Sequence, residues 1–148
     1  MPRHLQASTC HALTRRSIDL RQLYRHAAKA CEPGLRMVLN DNVRTLDLLI
    51  ADLQAQSRAG GGRACVRGSW CGVAHRHLAG WLVHSAGRRD QAWLRVLAHG
   101  ESGLLHRFER AIAIAIAPPA LALVLRRQLP RLLGIHLDMH SLAGTARY

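Results

Sequence analysis

Apolar residues along this chain recur at alternating steps of three and four, the period of helices that bury one stripe. No segment alternates with the period of two that a half-buried strand requires. The first stripe reads Leu13, Ser17, Leu20, Tyr24, Ala27 and predicts a helix over residues 8–30. A second, over 34–58, reads Leu35, Leu39, Asn42, Leu46, Leu49, Leu53. The third, over 89–116, reads Leu94, Leu97, Glu101, Leu104, Phe108, Ala111, Ala115, and the fourth, over 119–143, reads Ala122, Leu125, Leu129, Leu132, His136, Met139, Ala143.

The connections decide how these helices assemble. Glu32-Pro33-Gly34 is a short break, so the first two helices should pack antiparallel. Pro118-Pro119 forces a second tight turn, and a proline in the first turn of the fourth helix costs no hydrogen bond. Asp90 suits the positive end of the third helix, and Pro130 should bend the fourth. Between the second and third helices lies a long connection opening with Gly60-Gly61-Gly62, in which Val73, His77, Trp81 and His84 predict a short extra helix over 72–85. Two hairpins and one long central crossover describe an all-α, ferritin-like four-helix bundle rather than a simple up-down-up-down one. A single domain spanning residues 1–148, with its core in 8–143, is the expectation.

Composition narrows the class of protein. Apolar residues make up 49% of the 148, enough to fill one core. The formal charge of +12 would attract nucleic acid. Lys29 is the only lysine, the arginines are scattered, and aromatic residues for base stacking are 4% of the chain, so a nucleic-acid partner is not the favoured reading. The N-terminal MPRHLQASTCHALTRR lacks the apolar core of a signal peptide, and AIAIAIAPPALALVL is broken by its prolines before it could span a membrane. Cys10, Cys31, Cys65 and Cys71 are therefore expected as reduced thiols in a cytoplasmic protein, with no membrane association. A homo-oligomer is compatible with the pattern, the three tryptophans Trp70, Trp81 and Trp93 lying around the crossover.

Each stripe carries one polar residue: Ser17, Asn42, Glu101 and His136. Glu101 and His136 are about equally distant from the Pro118-Pro119 turn, so antiparallel packing should bring them to one height inside the bundle. Di-iron bundles take a carboxylate from each of two helices and a Glu-x-x-His pair from each of the other two. Here Leu133 and Leu137 stand where those glutamates would precede His136 and His140, and Arg44 follows Asp41 where a ligand is needed. Asp19 borders the first stripe and completes a candidate metal set of Asp19, Glu101 and His136, short of a di-iron centre. The alternative for the Glu–His pair is a buried, charge-assisted hydrogen bond that sets helix pairing. CVRGSWCGVAHRH, residues 65–77, gathers two cysteines and two histidines, but its C-x5-C-x3-H-x-H spacing is not that of a zinc knuckle. On a helix His77 would lie about 200° round from His75. No nucleophile elbow or phosphate-cradling glycine loop is present.

Five strings, in order, resemble the small bacterial ferritin-like bundle proteins classed as a domain of unknown function. They are SIDLRQLYRHAAKA, LDLLIADLQAQSRAGGG, GSWCGVAHRHLAGW, RRDQAWLRVLAHGESGLLHRFERAI and LVLRRQLPRLLGIH. The resemblance implies a ferritin-like bundle without an assigned activity, with its interior polar positions at Asp19, Glu101 and His136. The leading expectation is a non-enzymatic or degenerate bundle of unassigned, stress-related role, without cofactor. The alternatives are an iron- or manganese-binding ferritin-like protein or oxidoreductase, and a basic DNA-associated bundle.

Overall fold

A computed structural model describes residues 2–68, 89–114 and 119–145, which form four helices and no strand. They are α1 (Pro2–Ala30), α2 (Pro33–Ala59), α3 (Arg89–Ala113) and α4 (Pro119–Thr145). Each agrees with its apolar stripe, although α1 begins at Pro2, ahead of the stripe, because a proline's fixed φ suits the first helical turn. Pro130 lies within α4, which runs unbroken past it. The short helix expected over 72–85, and with it Cys71, His75 and His77, lies outside the described residues.

The α1–α2 turn is built from one tripeptide and an arginine. The Glu32 carboxylate accepts from the Leu35 amide at 3.1 Å, capping α2 ahead of Pro33. Arg36 reaches back to donate to the carbonyls of Ala28 (2.8 Å) and Cys31 (3.2 Å), satisfying acceptors that the end of α1 leaves open. At the far end of α2, Gly61 adopts a φ of 82°, which glycine tolerates, and the Gly62 amide closes on the Ser57 carbonyl at 3.0 Å.

Side-chain pairs fix the direction of every neighbouring helix. Cys10 meets Ser57 at 3.3 Å and Arg21 meets Asp47 at 2.8 Å, so α1 and α2 run antiparallel. Asn42 meets Met139, and Asp52 accepts from Arg127 and Gln128, so α2 and α4 are antiparallel as well. Gly100 packs on Leu20 while Asp90 accepts from the Glu32 amide at 3.4 Å, which makes α1 and α3 antiparallel. It follows that α2 and α3, both opposed to α1, run parallel to each other. The end of α2 and the start of α3 therefore lie at opposite ends of the bundle.

The stripes meet in one core, in which Tyr24, Leu39, Leu46, Leu49, Leu53, Leu97, Phe108, Leu125, Leu132 and Met139 are fully buried. A satellite cluster of Ile18, Ile50 and Cys65 lies in the α1–α2 groove, where residues 62–68 run back along the helices. The Gln54 amide holds this strap by donating to the Cys65 carbonyl at 2.9 Å. Cys10, Cys31 and Cys65 are buried free thiols. None of the described helices is long and apolar enough to cross a membrane.

Candidate metal centre

Glu101 occupies a seam position of α3, between Leu97 and Leu104, and helical periodicity turns its side chain into the core with no exposed surface. His136 holds the matching position on α4, between Leu132 and Met139. The packing of α3 on α4 brings them together: Nδ1 of His136 lies 2.7 Å from Oε1 of Glu101. His140, one turn further along α4, places Nε2 at 3.4 Å from the same oxygen. The two imidazoles are tilted by 51°, with ring centroids 4.2 Å apart. Between them, Glu101, His136 and His140 offer one ligand atom each, all within 4.8 Å of one another.

The two carboxylate oxygens have very different surroundings. Oε1 takes the His136 contact and accepts from Ser102 Oγ at 3.1 Å, and Ser102 also meets His140 Nε2 at 3.0 Å. Oε2 is buried and has no hydrogen-bond partner. Leaving an acceptor without a partner inside a core costs about 1–3 kcal/mol. Burial pushes the Glu101 carboxyl up, against the opposing pull of the hydrogen bond and charge of His136, the Ser102 hydrogen bond and the charge of His140. The site is closed on the Glu101 side and opens through His140, whose side chain is 52% exposed against 28% for His136.

The core holds a second buried polar group. The Tyr24 hydroxyl is buried without a hydrogen-bond partner. Burial pushes this phenol far above its ordinary range, the Glu101 charge adds to the rise, and the Asn42 amide pulls the other way. Asn42 instead donates to Met139 Sδ at 3.6 Å. Each helix thus turns a polar side chain inward: Tyr24, Asn42, Glu101 and His136.

Glu101 and His136 sit together as their register predicts. Asp19 does not join them: its carboxylate packs against Gly68 of the strap, where an added Cβ would lie 1.9 Å from Oδ1. Ser17, the polar member of the α1 stripe, bonds within its own helix to the Leu13 carbonyl at 2.7 Å. His140 completes the cluster without an apolar stripe to announce it; the signal available was the His-x-x-x-His spacing, which stacks two imidazoles on one helix face. Gln128 was likewise unannounced, fully buried and bound to Asp52 and Arg131.

No protein-family model, curated protein or solved structure matches this chain.

Proposed function

We propose that this protein is a ferritin-like bundle that binds a single divalent transition-metal ion through Glu101, His136 and His140. The observation carrying this reading is a carboxylate and two imidazoles within 4.8 Å, with one carboxylate oxygen buried and unsatisfied. Two nitrogens and one oxygen suit zinc, iron, cobalt, nickel or copper, whereas magnesium and calcium prefer oxygen alone. A two-histidine, one-carboxylate set also leaves coordination positions open for water or substrate. When bound, such an ion supplies a Lewis acid or, for iron or copper, a redox centre.

These residues would hold such an ion as a preformed set. Ser102 orients both Glu101 and His140, and the charge of the cation would relieve the unfavourable burial of Glu101. With the carboxylate ionised, the 2.7 Å contact has the His136 proton on Nδ1, and an ion held by both residues would take the place of that proton between Nδ1 and the carboxylate. Asp19 is engaged elsewhere, and among the described residues no other trio of histidine, cysteine or carboxylate converges. The site is thus degenerate by di-iron standards yet sufficient for one ion. The parallel course of α2 and α3 supports the ferritin-like topology and the resemblance to the bacterial bundle family.

Titration of the metal-free chain with cobalt(II) tests the reading, because its visible d–d bands report ligation directly. The expected result is saturation at one ion per chain, with the bands abolished in Glu101→Ala and His136→Ala. A featureless titration, together with no metal in protein purified from zinc- and iron-supplemented cells, would leave the pair as a packing device.

A further inference from the structure

We propose that a cleft between α1 and α2 binds the diphosphate group of a small phosphorylated molecule. This cavity of about 490 Å³ is lined by Gln22, Arg25, His26 and Lys29 of α1 with Arg36 and Asn40 of α2. It shares no residue with the Glu101 cluster of α3 and α4. Three of its side chains are permanent cations, and none is a carboxylate. All nine acidic residues of the chain belong to the described segments, and Lys29 pairs with none of them. Glu32, three residues further on, caps the Leu35 amide instead. Asp47 lies 3.6 Å from Arg25 but is held more closely by Arg21, at 2.8 Å. Residues 69–88 contain no aspartate or glutamate that would neutralise the cleft.

Arg25 and Lys29, one turn apart on α1, repel each other at a cost to the helix. A cleft walled by one sign of charge focuses its field on an incoming anion, which removes that cost. Donors stand ready as well. Arg36 donates through Nε and Nη2 to the carbonyls of Ala28 and Cys31, which fixes its guanidinium and leaves Nη1 without a partner among the described residues. The side-chain amides of Gln22 and Asn40 have no partner among the described residues either. A diphosphate brings several negative charges on two neighbouring phosphorus centres. Cations one turn apart, about 6 Å along the helix axis, suit that spacing better than they suit a single phosphate. No phenyl or indole ring lines the cleft for a base to stack on, so a nucleic-acid strand is the poorer fit.

Calorimetric titration of the full chain with inorganic pyrophosphate, with a chelator present at physiological salt, tests this site without engaging the metal-binding reading. One pyrophosphate per chain should bind, and more tightly than orthophosphate. Lys29→Gln should weaken it about tenfold, the loss of one charge-assisted contact. Arg126→Gln, which removes an exposed positive charge from α4, should change it by less than about twofold, because salt screens distant charges. Lys29 is exposed, so its variant should fold, as circular dichroism would show. Asn40→Ala, exposed as well, gives a second reading in the same direction. Equal losses in Lys29→Gln and Arg126→Gln would mean binding by diffuse charge and overturn the site, as would a chain that takes up no pyrophosphate. Retention of a duplex DNA oligonucleotide but not pyrophosphate under the same conditions overturns it in favour of nucleic acid. Cobalt(II) titration of Lys29→Gln without chelator should match the wild type, so failure of either reading leaves the other standing.

Discussion

Glu101 and His136 are 35 residues apart in sequence, and their side chains meet at 2.7 Å inside the bundle. A single contact of that kind could serve only to lock the register of α3 against α4. His140 changes its meaning, because a second imidazole at 3.4 Å from the same oxygen adds nothing that the pairing of helices needs.

His140 therefore separates the two roles. It is half exposed, so His140→Ala should change the metal-free stability by less than about 1 kcal/mol, as surface changes usually do. Zinc at a hundred times its dissociation constant should stabilise the wild type by about 2.7 kcal/mol. For a chain of this length that is a rise of about 5–10 °C in Tm. The rise should vanish in His140→Ala and reverse with a chelator in the wild type. Scanning calorimetry with and without zinc reads both effects, and equal zinc shifts in the two proteins would exclude His140 as a ligand.

The raised carboxyl of Glu101 fixes the direction of the pH response. A folded-state pKa above the ordinary 4.5 means that the folded metal-free chain holds this proton more tightly than the unfolded one. The associated stability is complete below about pH 4.5 and is lost as pH rises through the folded-state value. In Glu101→Gln that contribution should be absent. Urea unfolding of both proteins across mildly acidic pH should show their stability difference moving against the wild type as pH rises, and a difference that moves in its favour would contradict the assigned direction.

Cys31 offers a check at one end of the bundle, where α1 turns into α2 beside the start of α3. Burial, the Asp90 charge and a hydrogen bond to Asp90 push its thiol up to about 12 from 9.0. At a given pH below 9 that lowers the thiolate fraction about a thousandfold, since the thiolate is the reacting form. Iodoacetamide at pH 8 should leave Cys31 unmodified in the folded chain, as peptide mass spectrometry would show. Asp90→Asn should speed its alkylation, a result that steric shielding alone does not give. The same shift means that the stability associated with this thiol is held below pH 9 and lost as pH rises through about 12.

What the sequence made legible follows from periodicity and turn position. Stripes at steps of three and four located the four helices, and the equal sequence distances of Glu101 and His136 from Pro118-Pro119 put the two residues at one height. His140 escaped that logic because it follows Met139, the seam residue, by one position and so stands about 100° round the helix on the shoulder of the stripe. Tyr24 was legible as core, but its hydroxyl was invisible to a pattern that scores a tyrosine by its ring. Asp19 was placed by a contact that no period encodes, since Gly68 belongs to an irregular strap.

That strap yields the last test. Asp19 and Gly68 are in such close contact that a Cβ on Gly68 would fall 1.9 Å from Oδ1 and 3.4 Å from the Asp19 amide nitrogen. Gly68→Ala must therefore displace either a buried carboxylate or the strap itself, and overpacking of this kind typically costs about 1–3 kcal/mol. Shortening the obstacle should relieve the clash, so Gly68→Ala combined with Asp19→Ala should be less destabilised than the sum of the single changes, by about 1 kcal/mol or more. Chemical denaturation of the four proteins gives that coupling, and strict additivity would show that the strap does not lie on Asp19 in solution. Metal binding supplies the contrast: if Glu101, His136 and His140 are the site, the cobalt(II) bands should survive Asp19→Ala unchanged, although Asp19 is buried.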